Sequence, residues 1–509
     1  MAIKTVIKPN TYRDSIFLMK LSAQASKESG AEAVSAMMAT DRNKDLFAAS
    51  GLMTPEIQSA KANDLAIAIK GDGSTAEAAE AAVMRLLDQA PEKKTASAAN
   101  GVAAPSSMDQ AKKIESGLNL ALISVAGDYA RYEAAEALAN GMDVMLYSDN
   151  ISLPDELALK RLAQKKGLMV MGPDCGTAII NGTPLAFANA VTRGPVGIVG
   201  ASGTGLQEVC CLLERMGVGI SQAYGTGGRD LKDDIGGITS FTALDRLAKD
   251  DATKAVVILA KPPGQKTRAR VLERCKTLGK PVFIHYIGAT EYTAERAAGI
   301  QCGEDLTDLS IIAARHFNSK AALPGMDAAP KPPKVNPGNL CGVFGGGTLC
   351  QEAAEICGPL LKGDKASNLT VHGFTKIGGK DTFSGHVFWD LGEDEFTVGR
   401  PHPMMAPDLK MDRMVQALLD PKVSVVLIDL VIGYGSHPEQ AKLVVEALAK
   451  AEKESAGKSR QKVVVASVCG TDKDTPCRCA EVEEVEQAGV VVLASNALAA
   501  RFAAEVAAG

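Results

Sequence analysis

The feature that most constrains this chain is a repeated alternation of short, continuously apolar runs with helical stretches. Apolar runs at 423–430, 463–467 and 490–493 are followed by helical patterns at 438–450, 481–488 and 497–508. The same rhythm occurs earlier, with strands at 118–126, 143–147 and 168–171 and helices at 128–140 and 154–166. Strands that are apolar on both faces belong in parallel sheets covered by helices on both sides. The expected fold class is therefore α/β, with parallel-sheet Rossmann-like and flavodoxin-like layers. Residues 1–90 read differently: strand, helix, strand, short helix, strand, helix, with strands at 5–7, 33–39 and 65–69 and a long helix at 12–28. That pattern predicts a small α+β domain of regulatory, assembly or plain scaffold character.

Length then sets the domain number. At about 150 residues per domain, 509 residues predict roughly three domains or more. Two stretches rich in Pro and small residues, 91–107 and 322–338, cannot bury enough apolar area to order themselves and are expected to be linkers. Between them the expected domains are 108–190, 191–321 and 339–509. The net charge of −5, with no basic tract, argues against a nucleic-acid partner. No apolar run reaches 18 residues, so no membrane span is predicted, and the N-terminus lacks an apolar secretory core. Eleven cysteines with no Cys-x-x-Cys pair predict neither a disulfide framework nor a metal site, and a reducing cytoplasm is the expected location.

Two segments on either side of the second linker repeat one motif. Val196–Glu208 contains GASGTGLQE and Gly342–Glu352 contains GGGTLCQE, sharing Gly-Thr-x-x-Gln-Glu after a short apolar strand. Strand, glycine turn and helix aim free backbone N–H groups and the positive helix end at an anion. The candidate phosphate-binding residues are therefore Ser202, Gly203 and Thr204 in one copy and Gly346, Gly347 and Thr348 in the other. Ordinary tight strand-to-helix turns explain the glycines equally simply. The expectation that separates the two is spatial: the turns should face a common pocket.

Here the sequence resembles a known family. MGPDCGTAII at 171–180 looks like a conserved turn of the succinyl-CoA synthetase α subunit, and GIVGASGT at 197–204 is similar to that subunit's phosphate turn. GTGGRD at 225–230 falls where that family has a glycine loop, and 343–506 resembles the C-terminal ligase domain of the β subunit. IKPNTYRDS at 7–15, FWDLG at 388–392 and GRPHPM at 399–404 resemble the FdrA group of acyl-CoA synthetase-like proteins. The resemblance implies cofactor contacts at Gly172, Pro173, Asp174 and Cys175, a truncated CoA-binding-like Rossmann domain at 108–190, and flavodoxin-like domains at 191–321 and 339–509.

The departures are as telling. The synthetases phosphorylate a His in a glycine-rich loop after a strand; here the strand 282–286 contains His285 and is followed by Ile287-Gly288-Ala289-Thr290. The resemblance includes no nucleotide-binding ATP-grasp domain, no Gly-x-x-x-x-Gly-Lys-Ser/Thr replaces it, and no Gly-rich CoA turn precedes residue 116. The expected function is an enzyme subunit handling an acyl-phosphate or carbamoyl-phosphate intermediate. Its most concrete form, implied by resemblance, is a phosphate-dependent carbamoyltransferase subunit of the oxamate carbamoyltransferase type in ureide (allantoin) catabolism. The alternatives are a nucleotide-dependent acid-CoA ligase with a partner subunit and a non-catalytic anion-sensing scaffold. Phosphate or a carbamoyl or acyl phosphate is the expected substrate; CoA stays open, and no nucleotide site is expected in this chain. Other subunits and a homodimer are the expected partners.

Three further residues complete the expected site. Arg400 offers a bidentate fork to an anion, and His402 a proton donor or acceptor, in a loop fixed by Gly and Pro. His437 follows the strand 423–430, where parallel sheets place ligands; Ser436 as helix cap and Pro438 at the first helical position is the structural alternative. The acidic loop of Asp390, Glu393, Asp394 and Glu395 is expected to be a solvated face.

Overall fold

The computed structural model describes residues 3–508 apart from 90–104, 290, 329, 332, 334, 380, 398–399 and 456–461. Most of the first expected linker and Thr290 therefore lie outside the described residues. The chain forms two compact units: residues 1–105 with 397–401, and residues 106–396 with 402–509.

The N-terminal unit is an antiparallel sheet of β1 (Ile3–Lys8), β2 (Ala33–Met38) and β3 (Leu65–Lys70) in the order β1-β3-β2. Alternation along β3 explains its two covered faces. Leu65, Ile67 and Ile69 pack with helices Ser15–Ser29 and Gly73–Gln89, while Ala66 and Ala68 pack with Phe47 and Ile57 of the two shorter helices.

The larger unit begins with a three-stranded parallel sheet, β4 (Leu120–Ile123), β5 (Asp143–Leu146) and β6 (Val170–Met171). Two seven-stranded sheets follow. The first joins an antiparallel hairpin, β7 (Thr177–Ile180) and β8 (Thr183–Ala186), to the parallel strands β9 (Arg193–Gly200), β10 (Ile220–Gly225), β11 (Ala255–Ala260), β12 (Val282–Tyr286) and β13 (Gln301–Cys302). Its order is β13-β12-β11-β9-β10-β7-β8. The second is wholly parallel: β14 (Asn339–Phe344), β15 (Lys365–Ser367), β16 (Thr375–Lys376), β17 (His386–Asp390), β18 (Val423–Val431), β19 (Val463–Cys469) and β20 (Val491–Leu493). Its order is β16-β15-β17-β14-β18-β19-β20. In both sheets the crossovers leave the first parallel strand, β9 or β14, in opposite directions, which opens a crevice at the strand's carboxyl end.

One apolar core joins the two sheets. It contains Val209 and Leu213 of helix Gly203–Arg215, Leu309 and Ala313 of helix Leu306–Phe317, Leu349 and Ala353 of helix Gly347–Cys357, and Phe502 and Ala503 of helix Asn496–Ala508. The second expected linker is pinned to this core: Leu323 is buried and Arg215 donates to the Pro324 carbonyl at 3.1 Å. Against the expectation of no disulfide framework, Cys477 and Cys479 form a disulfide, because the loop brings their Cα atoms to 5.5 Å. The helix expected from Pro438 starts at Gln440 with Glu439 as its cap, so Ser436 and Pro438 do not cap it.

The Gln-Glu ends of the repeated motif lock the halves together. Glu208, from the first half, accepts the Asn496 N–H at 3.2 Å and so caps the last helix of the second half. Glu352, from the second half, accepts the Leu306 N–H at 2.8 Å, capping the last helix of the first half, and also accepts from Asn496 Nδ2 at 2.7 Å. Burial, then the charge of Asp305, pushes the Glu352 carboxyl up to about 8. The folded state thus holds this proton more tightly than the unfolded chain, so the stabilisation it brings is full below about pH 4.5 and is lost as pH rises toward 8. Thermal melts should show the wild-type midpoint falling relative to Glu352→Gln between about pH 5 and pH 8, and level above that. Parallel pH profiles for the two proteins would contradict this account of the cap.

Candidate functional site

The two glycine turns meet. Ser202 caps helix Gly203–Arg215, accepting the Gly205 N–H at 3.1 Å, and its hydroxyl is hydrogen-bonded to that of Thr348. Gly346 caps helix Gly347–Cys357. The contact is close enough to dictate glycine. A methyl built on Gly205 would stand 3.0 Å from Thr348 Cγ2, and one on Gly346 would stand 3.0 Å from Thr204 Cγ2. The N–H groups of Gly203 and Thr204, and of Gly347 and Thr348, occupy first and second helical positions, which have no acceptor within their own helix. Two positive helix ends therefore converge beside a bridging pair of hydroxyls.

Carboxylates shape the second turn in a way the sequence reading missed. Asp429, fully buried near the end of β18, accepts the Gly345 N–H at 2.9 Å and the Gly346 N–H at 2.8 Å. Lys410, also buried, pairs with Asp429 Oδ1 at 2.7 Å and bonds to its carbonyl. The N–H of Gly346 is thus committed to the protein, and the donors of this turn left without an acceptor in their own helix reduce to Gly347 and Thr348. The sequence did carry a signal: Asp429 is the one charged residue in the apolar strand VSVVLIDLV.

Asp390, at the end of β17, is only 3% exposed, which overturns its reading as part of a solvated loop. Its backbone is pinned by Asn368, which donates to the Asp390 carbonyl and accepts its N–H, both at 2.8 Å. Oδ1 accepts the Gly392 N–H at 2.9 Å, and a methyl on Gly347 would lie 2.4 Å from Oδ2. Burial first, with Glu393 and Asp429 adding to it, pushes this carboxyl up to about 7; Lys261, just past β11, acts against the rise. Lys261 is exposed and also bears on Asp174.

The other expected residues divide. Asp174 sits at a left-handed φ of 54° after the Gly172-Pro173 turn. It reaches solvent yet is walled by enough protein that loss of hydration, then Asp149 and Asp394, pushes it up to about 6. Gly172 is forced by sterics: a methyl there would meet the Leu146 carbonyl at 2.4 Å. Cys175 packs the turn, its thiol against the Gly225 carbonyl, and burial pushes it up to about 12, so it stays protonated. His402 stacks near Phe187 and its Nδ1 accepts the Met404 N–H at 3.2 Å. Burial holds His402 down to about 4, so it is neutral at physiological pH and donates from Nε2, not the near-neutral proton exchanger expected of it. Arg400 is exposed and falls outside the unit that carries the cleft. His437 donates its N–H to the Met404 carbonyl at 2.7 Å and accepts the Glu439 N–H at Nδ1, a loop-fixing role. His285 lies inside β12, bonded to the Gly303 carbonyl at 3.0 Å, so it does not occupy a loop after the strand.

Removing the Asp429 charge should leave Lys410 buried without its carboxylate. Asp429→Asn is expected to cost about 3 kcal/mol in denaturant unfolding, with Lys410→Met in the same background restoring part of it. A cost within a few tenths of a kcal/mol would refute the clamp.

Comparison with known proteins gives the following. The N-terminal residues 1–104 match the family described as AllF, heavy metal-associated domain; 192–285 match the CoA binding domain; and 343–506 match the CoA-ligase family. Residues 1–104 contain no Cys and no His, and among the described residues no cluster of three or more His, Cys, Asp or Glu could hold a metal, so a thiolate or imidazole metal site does not fit this domain. The chain is 38% identical over 509 residues to the uncharacterized protein YahF of Escherichia coli, covering 97% of both. It is 30% identical over 190 residues to the succinate–CoA ligase α subunit of Aquifex aeolicus, covering 36% of this chain and 60% of that one. Against the dinucleotide-forming acetyl-coenzyme A synthetase 1 of Ca. Korarchaeum cryptofilum it covers 81% of this chain and 87% of that one, at 14% identity and a TM-score of 0.36, a level that transfers no chemistry. Among the described residues, no helix is long and apolar enough to cross a membrane.

Proposed function

The chain belongs to the FdrA-type family that includes YahF, within the succinyl-CoA synthetase-like superfamily, and from that premise we propose that its cleft binds phosphate and transfers a carbamoyl or acyl group to or from it. The observation that carries this reading is the meeting of the two helix N-termini at Ser202 and Thr348. N–H donors from Gly203, Thr204, Gly347 and Thr348 would hold the phosphate of a mixed anhydride and stabilise charge that develops beside its carbonyl. Lys261 supplies a mobile cation at the same strand ends. Asp429 adds no net repulsion, because Lys410 and two N–H groups neutralise it.

A phosphate-dependent carbamoyltransferase subunit is the specific form we favour. Such chemistry needs neither a phosphorylated histidine nor a nucleotide, and His285 is sealed inside its strand. An acid-CoA ligase acting with a partner subunit is the second reading, favoured by the CoA binding and CoA-ligase matches. Against it, Asp149, Asp174, Glu393 and Asp394 cluster near one another and would repel the polyanionic end of CoA.

Purified chain, alone and with co-expressed partner subunits, should form carbamoyl phosphate from oxalurate and phosphate. Thioester formation from acid, CoA and ATP by the lone chain would overturn the carbamoyl reading. In calorimetry, Lys261→Ala should raise the Kd for inorganic phosphate about tenfold, as should the pair Ser202→Ala and Thr348→Ala.

A further inference from the structure

Several carboxyl groups lie on or near the elements that carry the two glycine turns, and geometry separates their roles. Asp429 is bound on both oxygens by backbone N–H groups and paired with Lys410, so it has no freedom to pass a proton. Glu208 and Glu352 cap the last helices of the opposite halves. Asp174 reaches solvent. Asp390 alone combines burial, a rigid mount and a place at the foot of a helix N-terminus: Asn368 pins its backbone, Gly392 holds Oδ1, and Oδ2 lies against the Gly347 Cα. No ion pair to Asp390 is seen among the described residues. The Nε2 of His402 and the Oδ1 of Asp390 both lie within 3.1 Å of the point a Gly392 methyl would occupy. His402, held neutral by burial, is therefore a neighbour of this carboxyl that does not take its proton.

We propose that Asp390 is the acid that protonates the leaving nitrogen when phosphate displaces a carbamoyl group. This rests on the phosphate-dependent reading above. A phosphate oxygen forms a bond to the carbamoyl carbon and the carbon–nitrogen bond to the rest of the substrate breaks. The Asp390 proton goes to the departing nitrogen, and the carboxylate regains a proton from the hydrogen phosphate that attacked. Atoms and charge balance with no oxidant or metal. The substrate class is an N-carbamoyl compound whose leaving nitrogen is too basic to depart as an anion. The groups that face the carboxyl are Glu393 and Asp429, which favour its protonated form, Lys261, which opposes it, and the neutral His402. A protonated Asp390 also removes the repulsion that an anion beside Gly347 would otherwise meet.

The test uses the full chain with its partner subunits. Asp390→Asn keeps shape and hydrogen bonds but carries no proton to give; kcat for carbamoyl phosphate formation should fall about 100-fold or more, with the KM for phosphate within about threefold of wild type. A second readout needs no turnover. Sulfate does not titrate between about pH 5 and pH 9, so its affinity reports the protein alone. In wild type that affinity should fall about tenfold as pH rises through 7, and in Asp390→Asn it should be flat. If wild type is active and Asp390→Asn is equally active, the donor role is wrong and the carbamoyl reading stands. If wild type makes no carbamoyl phosphate with any partner while sulfate still follows Asp390, the carbamoyl reading fails and takes the donor role with it. A pH profile unchanged by the substitution would remove Asp390 from the anion site altogether.

Discussion

Glu208 and Glu352 each cross from one seven-stranded half to cap the final helix of the other, and the rest of the molecule's geometry follows from that exchange. Each glutamate stands one helical turn beyond a glycine turn. Fixing the two glutamates fixes the relative position of the two helices that carry them, and so brings Ser202 against Thr348. The shared apolar core fills the space between the helices, but apolar packing is non-directional and tolerates sliding. Buried, oriented hydrogen bonds do not, because an unpaired partner in the interior would cost several times what the bond contributes. The repeated Gly-Thr-x-x-Gln-Glu thus has two jobs: its glycine and threonine make the cleft, and its glutamate makes the alignment.

The cleft sets positive helix ends beside an unusual number of carboxyl groups. These are tolerated for different reasons. Asp429 is neutralised by a buried lysine and by two backbone donors. Asp390 lies where burial and neighbouring negative charge favour its neutral form near pH 7. A cleft built this way can accept an anion and still hold a proton close to it, which suits displacement of a nitrogen leaving group by phosphate. Lys261, exposed just past β11, is a cation that acts on both Asp174 and Asp390.

Much of the fold was readable from periodicity. The run 423–430, apolar at every position but Ser424 and Asp429, became a central parallel strand, because a strand buried on both faces has no polar side to mark. The glycine turns were also readable, since strand, glycine and helix follow one another directly. Other parts were not. The spacing of Cys477 and Cys479 says nothing of a loop that folds their side chains together. His402 looked like a proton exchanger by residue type, but its surroundings hold it neutral. Asp390 looked like part of an acidic surface because its neighbours in sequence are acidic, whereas its neighbours in space are the Gly347 turn and His402.

The chain's own order of residues determined the strand-and-helix alternation of the layers, the duplicated turn and the departure of β12 from a histidine-bearing loop, since each is written in the type and spacing of neighbouring residues. Which carboxyl is paired, which is protonated and which donors stay open to an anion was decided only in three dimensions. Charge and hydration at a site depend on groups that lie tens to hundreds of residues away along the chain, such as Thr348 against Ser202 and Asp429 against Gly345. No local pattern encodes those distances; the packing of two half-molecules does.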